Sequence, residues 1–449
     1  MLLRFWGTRG SIATPGPSTV RYGGNTSCVE AVTTSGRRFI FDSGTGARAL
    51  GSHLMASAPK PIDLTILLSH THWDHIQGFP FFAPVFVPGN RITVCGPKGA
   101  NSSLPEVLAG QMEYTYFPVD LGSLGAKIEY RDLNEGAHEI DGVRISVQYL
   151  NHPAIALGYR IEADGVSLLY LCDHEPYWES LWRSDAEPGR LESILHDGDR
   201  RHAAFMQNAD VVVHDSQYTP EEYPSRINWG HSTYTYVTKM AAAANVKRLF
   251  LTHHDPTHND EFLDRVQEAA REVVAAAGSS MRVECAQEGY EEAFTGAAQR
   301  RGATHNRLNE VTTSEPTENR TLEILIVDDD EDLRILACRA LRKAGHQVME
   351  AADGAEGLRM IAEHNPDLVV LDLFMPAPDG FEVLRTLRSQ ENTRLLPIVV
   401  LTAHGDEEGA SKSFALGATD FLAKPFTPPQ LDARVRACFA RAGTPDQKT

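Results

Sequence analysis

The feature that most constrains the fold is the stretch LTILLSHTHWDHIQGF at residues 64–79, where an apolar run ends in a dense cluster of polar side chains. The segment LTILL has the composition of a buried β-strand. Three histidines and an aspartate follow within six positions, namely His70, His72, Asp74 and His75. A fold that buries this strand therefore brings four metal-binding side chains to one end of a sheet.

Imidazole and carboxylate groups are the ligands that zinc and its first-row neighbours accept when no thiolate is available. His70 and His72 lie two positions apart and can bind one ion. Asp74 and His75 can then bind a second ion beside the first. One short segment cannot saturate two ions, so further ligands are expected at the ends of other strands.

Three later apolar runs end in suitable side chains. ISVQYLN precedes His152, SLLYLC precedes Asp173, and KRLFLT precedes His253, His254 and Asp255. Because each residue closes an apolar run, all are expected on one rim of the sheets. Asp215, in VVVHDS, is the alternative to Asp173 as a carboxylate shared by both ions.

The composition narrows the class of protein. The 449 residues are enough for two or three domains, and a formal net charge of −18 argues against a general nucleic-acid binder. Six scattered cysteines without a CxxC pair are expected to be buried free thiols. The N-terminal residues lack the apolar core of a signal peptide and no run is long enough to span a membrane, so a cytoplasmic protein is expected.

The chain divides at a polar segment without helical or strand periodicity, which we interpret as a linker over residues 296–321. Before it, at 1–295, short strands with interleaved helices predict an α/β layered domain. The predicted strands are LLRFWGT, SCVEAVT, RRFIFDSG, LTILLSH, RITVCGP, RISVQYLNH, LGYRIEA, SLLYLCDH, DVVVHDS, KRLFLTHH and RVECAQEG. After it, at 322–445, five apolar strands alternate with five helices, which predicts a doubly wound, five-stranded parallel sheet, (βα)5.

The motif HTHWDH, with the later histidines and aspartate, resembles the metallo-β-lactamase fold over about residues 1–295. FDSGTG, NHPAIALGYRIE, LCDHE, GHST and LTHHDP are most similar to its phosphodiesterase branch, which includes the tRNA 3′-processing ribonucleases. The resemblance implies an αββα sandwich in which His70, His72 and His152 bind one metal ion. It further implies that Asp74, His75 and His253 bind the second, that Asp173 bridges both, and that His254 is not a ligand.

The same resemblance places His231, in WGHST, beside the leaving phosphate, so Asp74 and His231 are the residues expected to be required for catalysis. Two ions about 3.5–4 Å apart can lower the pKa of a bound water and stabilise charge on a phosphodiester. Zinc is the expected metal, with manganese or iron as alternatives. His231 would give a proton to the departing oxygen.

The expected substrate is a small or cyclic phosphodiester. The tRNA-processing enzymes carry a basic, glycine-rich arm, which one subfamily inserts between the stretches corresponding to His152 and Asp173, and here that interval holds only a strand pair and its turn. Two alternatives remain open. Thioesterases and lactonases of this fold use similar ligands, and a metal-containing signalling module would bind a ligand without turnover.

In the C-terminal region, polar side chains end the strands. Asp328 and Asp329 follow ILIV, Asp372 ends VVLD, Thr402 lies in VVLTA, and Lys424 lies in FLAKPF. The carboxyl ends of neighbouring parallel strands converge on one crevice, so these carboxylates are expected to hold a hard cation, Mg²⁺, beside a lysine.

This set resembles a response-regulator receiver domain over residues 322–445. The resemblance implies that Asp372 accepts a phosphoryl group from a sensor histidine kinase, that Asp328, Asp329 and Asp372 hold Mg²⁺, and that Lys424 contacts the phosphoryl group. Thr402 and Phe421 would form the switch pair. We therefore expect a hydrolase regulated by a two-component pathway, with no DNA or membrane binding and with homodimerisation left open.

Overall fold

The computed structural model describes residues 1–97, 103–177, 180–183, 189–295, 321–403, 412–413, 416–424, 426, 431–432, 434–436 and 438–439. The chain divides into two compact units, one N-terminal and one C-terminal. The predicted linker lies outside the described residues except for Thr321, so its boundaries remain a prediction. All six cysteines are buried and none forms a disulfide, as predicted.

The first sheet of the N-terminal unit has seven strands in the order β14-β1-β2-β3-β4-β5-β6. Their bounds are β1 (Leu2–Gly7), β2 (Cys28–Val32), β3 (Arg38–Phe41), β4 (Asp63–Leu67), β5 (Arg91–Pro97), β6 (Lys127–Leu133) and β14 (Glu291–Ala293). From β3 to β6 the neighbours are parallel.

The second sheet also has seven strands, in the order β13-β12-β11-β10-β9-β8-β7. They are β7 (Gly136–Ile140), β8 (Val143–Tyr149), β9 (Leu157–Ala163), β10 (Val166–Leu171), β11 (Val211–Asp215), β12 (Arg248–Thr252) and β13 (Arg282–Cys285). The strands from β10 to β13 are parallel, so their carboxyl ends share one edge.

Six α-helices accompany the two sheets in the described part of this unit. They are α1 (Gly46–Ser57), α2 (Trp73–Ile76), α3 (Leu104–Gln111), α4 (Asp197–Met206), α5 (Tyr234–Ala243) and α6 (Asp260–Ala276). Helix α6 begins at a polar cap, because the side chain of Asn259 accepts the backbone N–H of Phe262.

Apolar side chains from the two sheets interdigitate to form the central core. The ring of Phe5 on β1 lies 5.0 Å from that of Phe250 on β12, and the ring of Phe41 on β3 lies 4.9 Å from that of Tyr170 on β10. Helix α1 covers the outer face of the first sheet, and α4, α5 and α6 cover that of the second. This is the predicted αββα sandwich.

The C-terminal unit is a five-stranded parallel sheet in the order β16-β15-β17-β18-β19. Its elements are β15 (Glu323–Val327), α7 (Glu331–Lys343), β16 (Gln347–Ala351), α8 (Gly354–His364), β17 (Leu368–Asp372), α9 (Gly380–Ser389), β18 (Ile398–Ala403) and β19 (Asp420–Lys424). Separate apolar clusters cover its two faces, as in a doubly wound fold. The helices predicted at 408–417 and 427–441 lie largely outside the described residues.

Candidate metal centre

The predicted ligands come from strand ends on both sheets and meet at one rim of the sandwich. His70 and His72 follow β4, and Asp74 and His75 lie on the short helix α2. His152, Asp173 and His253 follow β8, β10 and β12. Six of the seven are buried, and His72 is the exposed member.

One group of ligand atoms surrounds an oxygen of Asp173. His70 Nε2 lies 3.4 Å and His152 Nε2 lies 3.9 Å from Asp173 Oδ2. His152 Nε2 is also 3.3 Å from Nδ1 of His72. These four residues form a cluster whose ligand atoms all lie within 4.8 Å of one another.

A second group surrounds the other oxygen of Asp173. His75 Nε2 lies 3.3 Å and His253 Nε2 lies 3.2 Å from Asp173 Oδ1. Asp74 Oδ2 is 3.3 Å from His75 Nε2 and 3.1 Å from His253 Nε2. Because each oxygen of Asp173 belongs to a different group, this carboxylate could bridge two ions.

The buried polar atoms at the centre fit a pair of cations. His70 Nε2, His75 Nε2 and Asp173 Oδ1 are buried and have no hydrogen-bond partner among the described residues. Buried polar groups normally have a partner, so unpartnered atoms that converge on one point indicate a site for an ion or a water molecule. Ligands about 2.0–2.1 Å from a tetrahedral zinc ion are about 3.3 Å apart, which is close to the separations found here.

The histidine tautomers agree with metal binding. The Nδ1–H groups of His75, His152 and His253 donate to Asp42 Oδ2 at 2.7 Å, to Gly230 O at 3.2 Å and to Gln217 Oε1 at 2.9 Å. Each bond leaves the Nε2 lone pair facing the ligand groups. Burial lowers the pKa of His152 to about 3 and that of His70 well below its usual value, which keeps both rings neutral as metal ligands require.

Burial and the neighbouring histidines shift the pKa of the carboxylate ligands in opposite directions. Burial alone would raise the pKa of Asp74 and Asp173, but the surrounding histidines hold both values well below the usual range. The carboxylates are therefore ionised, which is the state that binds a cation. Cys172 also lies within the second group, but burial raises the pKa of its thiol well above the usual value and favours the protonated form.

Asp42 is a supporting residue to which the sequence analysis assigned no role. Besides His75, it accepts hydrogen bonds from the Ser69 N–H at 2.7 Å and the Tyr170 hydroxyl at 2.7 Å. Its position directly after β3, in FDSGTG, is the sequence feature that could have indicated a role at the metal centre, because the predicted ligands also follow strands. The N-terminal loop also supports the centre without having been predicted to do so, because the Ser11 N–H donates to Asp74 Oδ2 at 2.8 Å.

His231 lies at the centre and pairs with Asp215. Its Nδ1 is 3.2 Å from Asp215 Oδ2, and its ring stacks on that of His253 at 4.8 Å. Burial alone would lower the pKa of His231, but the Asp215 carboxylate raises it to about 9. Asp215 reaches only His253 among the predicted ligands, at 3.9 Å from Nδ1, so the geometry favours Asp173 as the shared carboxylate.

His254 points away from the two ligand groups. Its Nε2 bonds to the carbonyl oxygen of Ala286 at 2.9 Å, and its own carbonyl accepts the Gly10 N–H at 3.0 Å. It thus fixes the N-terminal loop that reaches Asp74.

In the C-terminal unit, the predicted site residues lie at the carboxyl ends of the strands. Lys424 Nζ is 2.9 Å from Asp328 Oδ2 and 2.9 Å from Asp372 Oδ2. Asp328, Asp329 and Asp372 form a third cluster that can hold a cation, and their oxygens suit Mg²⁺. Thr402 is buried near the end of β18, and Phe421 is half-buried at the start of β19.

Comparison with known families agrees with both halves of the fold. Residues 37–254 match the beta-lactamase superfamily domain, and residues 324–436 match the response regulator receiver domain. The chain joins a beta-lactamase superfamily domain to a receiver domain. The beta-lactamase superfamily match supports hydrolase activity as a class. The receiver match implies a histidine kinase as the phosphodonor, as for receiver domains in general.

Curated relatives of the chain are transcriptional regulators. The phosphate regulon transcriptional regulatory protein PhoB of Pseudomonas aeruginosa is 38% identical over 125 residues, which are 28% of this chain and 55% of that protein. RpaA of Synechocystis, a DNA-binding dual master transcriptional regulator, is 42% identical over 118 residues, or 26% and 49% of the two chains. The chain thus spans about half the length of these relatives.

Two solved structures each resemble one of the two units. The chemotaxis response regulator CheY4 of Vibrio cholerae is 33% identical, with coverage of 26% of this chain and 99% of that one and a TM-score of 0.26. The metallo-beta-lactamase fold protein YhfI of Bacillus subtilis is 16% identical, with coverage of 65% and 98% and a TM-score of 0.44. No helix among the described residues is long and apolar enough to cross a membrane.

Proposed function

We propose that the beta-lactamase superfamily domain is a divalent-metal-dependent phosphodiesterase and that phosphorylation of Asp372 by a histidine kinase controls it in the cytoplasm. The observation that carries the metal assignment is the convergence of buried, unpartnered atoms on the two oxygens of Asp173. Such atoms cost free energy when they lack a partner, and cations remove that cost.

The seven ligands divide by distance into the two sets described above. His70, His72 and His152 would hold one ion, whereas Asp74, His75 and His253 would hold the other, with Asp173 between them. A pair of divalent ions, zinc or alternatively manganese or iron, supplies Lewis-acid activation of water and stabilisation of charge on the phosphoryl oxygens. Asp42, Gly230 and Gln217 keep three of the imidazole rings in the orientation that this binding needs.

His231 is the proposed proton donor. In hydrolysis, water adds to phosphorus, the bond from phosphorus to the leaving oxygen breaks, and the departing oxygen takes a proton. Because Asp215 accepts the Nδ1–H of His231, Nε2 is the nitrogen that remains for the leaving group. A linear diester gives a phosphomonoester and an alcohol, whereas a cyclic diester gives one phosphomonoester that carries the released hydroxyl group. The proton lost by the attacking water replaces the one that His231 gives up.

The segment between His152 and Asp173 supports a small substrate. It consists of β9, β10 and the turn between them, all of which are described. It leaves no room for an inserted basic arm, and the charge of −18 disfavours a large polyanion. We therefore propose a small or cyclic phosphodiester as substrate.

The proposal is tested by assaying zinc- or manganese-loaded protein on bis(p-nitrophenyl) phosphate. We expect turnover by the wild type and a loss of at least about 100-fold in His72→Ala and Asp74→Ala, because each removes a ligand. His138→Ala is a matched control, since this histidine contacts the carbonyl of Asn134 rather than the centre.

The outcome against the proposal is a metal-loaded protein that is inert to phosphodiesters. Turnover of thioesters or lactones by that same protein would replace the proposed reaction with theirs. Binding of redox-active iron without turnover of any of these compounds would instead favour a signalling module.

A further inference from the structure

The loop from Arg226 to Gly230 lies directly against the metal centre. The carbonyl oxygen of Gly230 accepts the Nδ1–H of His152, and the next residue is His231. Gly230 has a φ of 89°, and a Cβ atom there would overlap the ring of His152. Only glycine therefore allows the loop to approach this ligand so closely.

Glu175 fastens the loop in place. One carboxylate oxygen accepts the N–H of Asn228 at 2.6 Å and the hydroxyl of Tyr223 at 3.0 Å. The other accepts the N–H of Gly230 at 2.8 Å. Glu175 is itself buried, so the hydrogen bonds that the loop donates to its carboxylate are shielded from water and hold the loop against the site.

This fastened loop nevertheless displays a large aromatic side chain to solvent. Trp229 is 56% exposed, and the guanidinium of Arg226 lies 4.7 Å from the centre of its ring. No carboxylate in the described part of the chain forms an ion pair with Arg226, so its charge is left for an anion. The pair combines a flat apolar surface with a local positive charge.

Trp229 is one of two exposed tryptophans in the described part of the chain, and both lie next to residues of the metal centre in the chain. In the described residues, the exposed tryptophans are Trp229 and Trp73, and Trp73 is 78% exposed. Trp73 lies between the ligands His72 and Asp74, whereas Trp229 adjoins Gly230. His152 lies between the His72 side chain and the Gly230 backbone, because one of its ring nitrogens contacts His72 Nδ1 and the other contacts the carbonyl oxygen of Gly230.

We propose that Trp229 and Arg226 form a recognition surface for the nucleobase of a nucleoside phosphodiester held at the metal centre. An indole offers a face on which any base can stack, and a guanidinium beside it complements the phosphate charge. A diester without an aromatic group would gain nothing from this surface. The inference rests on the proposed function and specifies its substrate class.

The test compares two substrates with the same reacting ring. Adenosine 2′,3′-cyclic phosphate and glycerol 1,2-cyclic phosphate both contain a five-membered cyclic diester, and only the first has a base. In metal-loaded full-length protein we expect a higher kcat/KM for the adenosine compound. Trp229→Ala should lower the ratio of the two kcat/KM values on the order of 10-fold, since base stacking contributes about 1–3 kcal/mol.

Two further variants sharpen the result. Trp229→Phe keeps an aromatic face and should retain most of the preference. Tyr114→Ala removes another exposed aromatic side chain, 87% exposed, that has no ring contact or hydrogen bond with the centre among the described residues, and it should leave the ratio unchanged.

The inference fails if active wild-type protein does not prefer the adenosine compound, if Trp229→Ala leaves the ratio unchanged, or if the protein hydrolyses bis(p-nitrophenyl) phosphate but neither cyclic diester. The proposed function fails separately, if the protein hydrolyses no phosphodiester at all.

Discussion

Several residues of the metal centre have unusual backbone conformations. Asp42, Asp173, His253 and Ser11 have φ values of 59–61°, in the left-handed region that costs most residues free energy. All four lie at or beside the ligand groups, and two directly follow strands. Asp42 and His253 leave their strands in this conformation and bond to His75 and to Asp74, so the strain lies where the chemistry is proposed.

Asp42 gives the first prediction at this scale. Asp42→Asn keeps the shape of the side chain but removes the charge that orients and strengthens His75 as a ligand. We expect zinc affinity to fall by about 10- to 100-fold while all seven ligands remain. Competition titration with a chromogenic chelator measures this.

Tyr170→Phe is the comparison variant for Asp42, because it removes one donor to the same carboxylate and should have a smaller effect. Unchanged zinc affinity in Asp42→Asn would show that this carboxylate does not support the centre.

Asp199 gives the second prediction. It is fully buried on α4, where the Tyr236 hydroxyl and the Tyr177 N–H donate to it, and burial raises its pKa to about 7. Between the ordinary value of 3.8 and about 7, the unfolded chain has released this proton and the native protein has kept it. The free energy of unfolding therefore falls as pH rises through this window, by up to about 1.4 kcal/mol per unit.

Asp199→Asn should remove that contribution, so its stability relative to the wild type should improve from pH 4 to pH 7 and then level off. Urea unfolding of metal-free protein at several pH values provides the measurement. Asp197→Asn, an exposed neighbour on the same helix, serves as control. Parallel pH profiles for wild type and Asp199→Asn would contradict the assignment.

At the scale of elements, the central strands were predictable and most of the edge strands were not. The apolar patterns predict the interior strands of both N-terminal sheets but not β6, β7 and β14, each of which lies at the edge of a sheet. Most residues in these three strands are exposed or half-buried. An edge strand needs no continuous apolar run, so its sequence carries little of the signal on which the prediction depended.

The loop held by Glu175 gives a prediction at this scale. In Glu175→Gln only one side-chain atom can still accept, so the N–H groups of Asn228 and Gly230 cannot both keep their partners. We expect weaker zinc binding, by about 10-fold, because Gly230 orients His152. A rise in KM for adenosine 2′,3′-cyclic phosphate should accompany it.

Both quantities are measured on the same preparation, by chelator competition and by steady-state kinetics. Glu221→Gln is the control, because this exposed carboxylate precedes the loop in the chain, whereas the N–H groups of Asn228 and Gly230 donate to Glu175. If Glu175→Gln changes neither zinc affinity nor KM, the loop does not depend on the Glu175 carboxylate.

At the scale of the whole molecule, the chain joins a beta-lactamase superfamily domain to a receiver domain, and we propose that phosphorylation of Asp372 controls hydrolysis. Lys424 contacts both Asp328 and Asp372, so a phosphoryl group on Asp372 would compete for an existing ion pair. The aspartyl phosphate carries about two negative charges where the carboxylate carried one, and Mg²⁺ and Lys424 can offset them. Rearrangement around Thr402 and Phe421 is the proposed consequence.

The corresponding prediction uses beryllofluoride, a stable mimic of the aspartyl phosphate, with Mg²⁺ and the full-length protein. We expect it to change kcat/KM for the phosphodiester by at least about 5-fold, a modest coupling free energy. Asp372→Asn should remove the response and retain the basal rate. A response that persists in Asp372→Asn, or its absence in the wild type, would contradict control through this residue.

The sequence by itself determined which side chains could bind metal and that they end buried strands, because ligand chemistry and strand periodicity are local properties. It also determined the alternation that produces the C-terminal parallel sheet. The strand-end pattern alone left Asp173 and Asp215 as alternatives, the family resemblance implied Asp173, and the tertiary structure puts Asp173 between the two ligand groups. It alone brought Asp42, Ser11 and the loop carrying Trp229 to the same rim. The order of the strands in each sheet and the packing of the two sheets set those distances, and both depend on contacts between residues far apart in the chain.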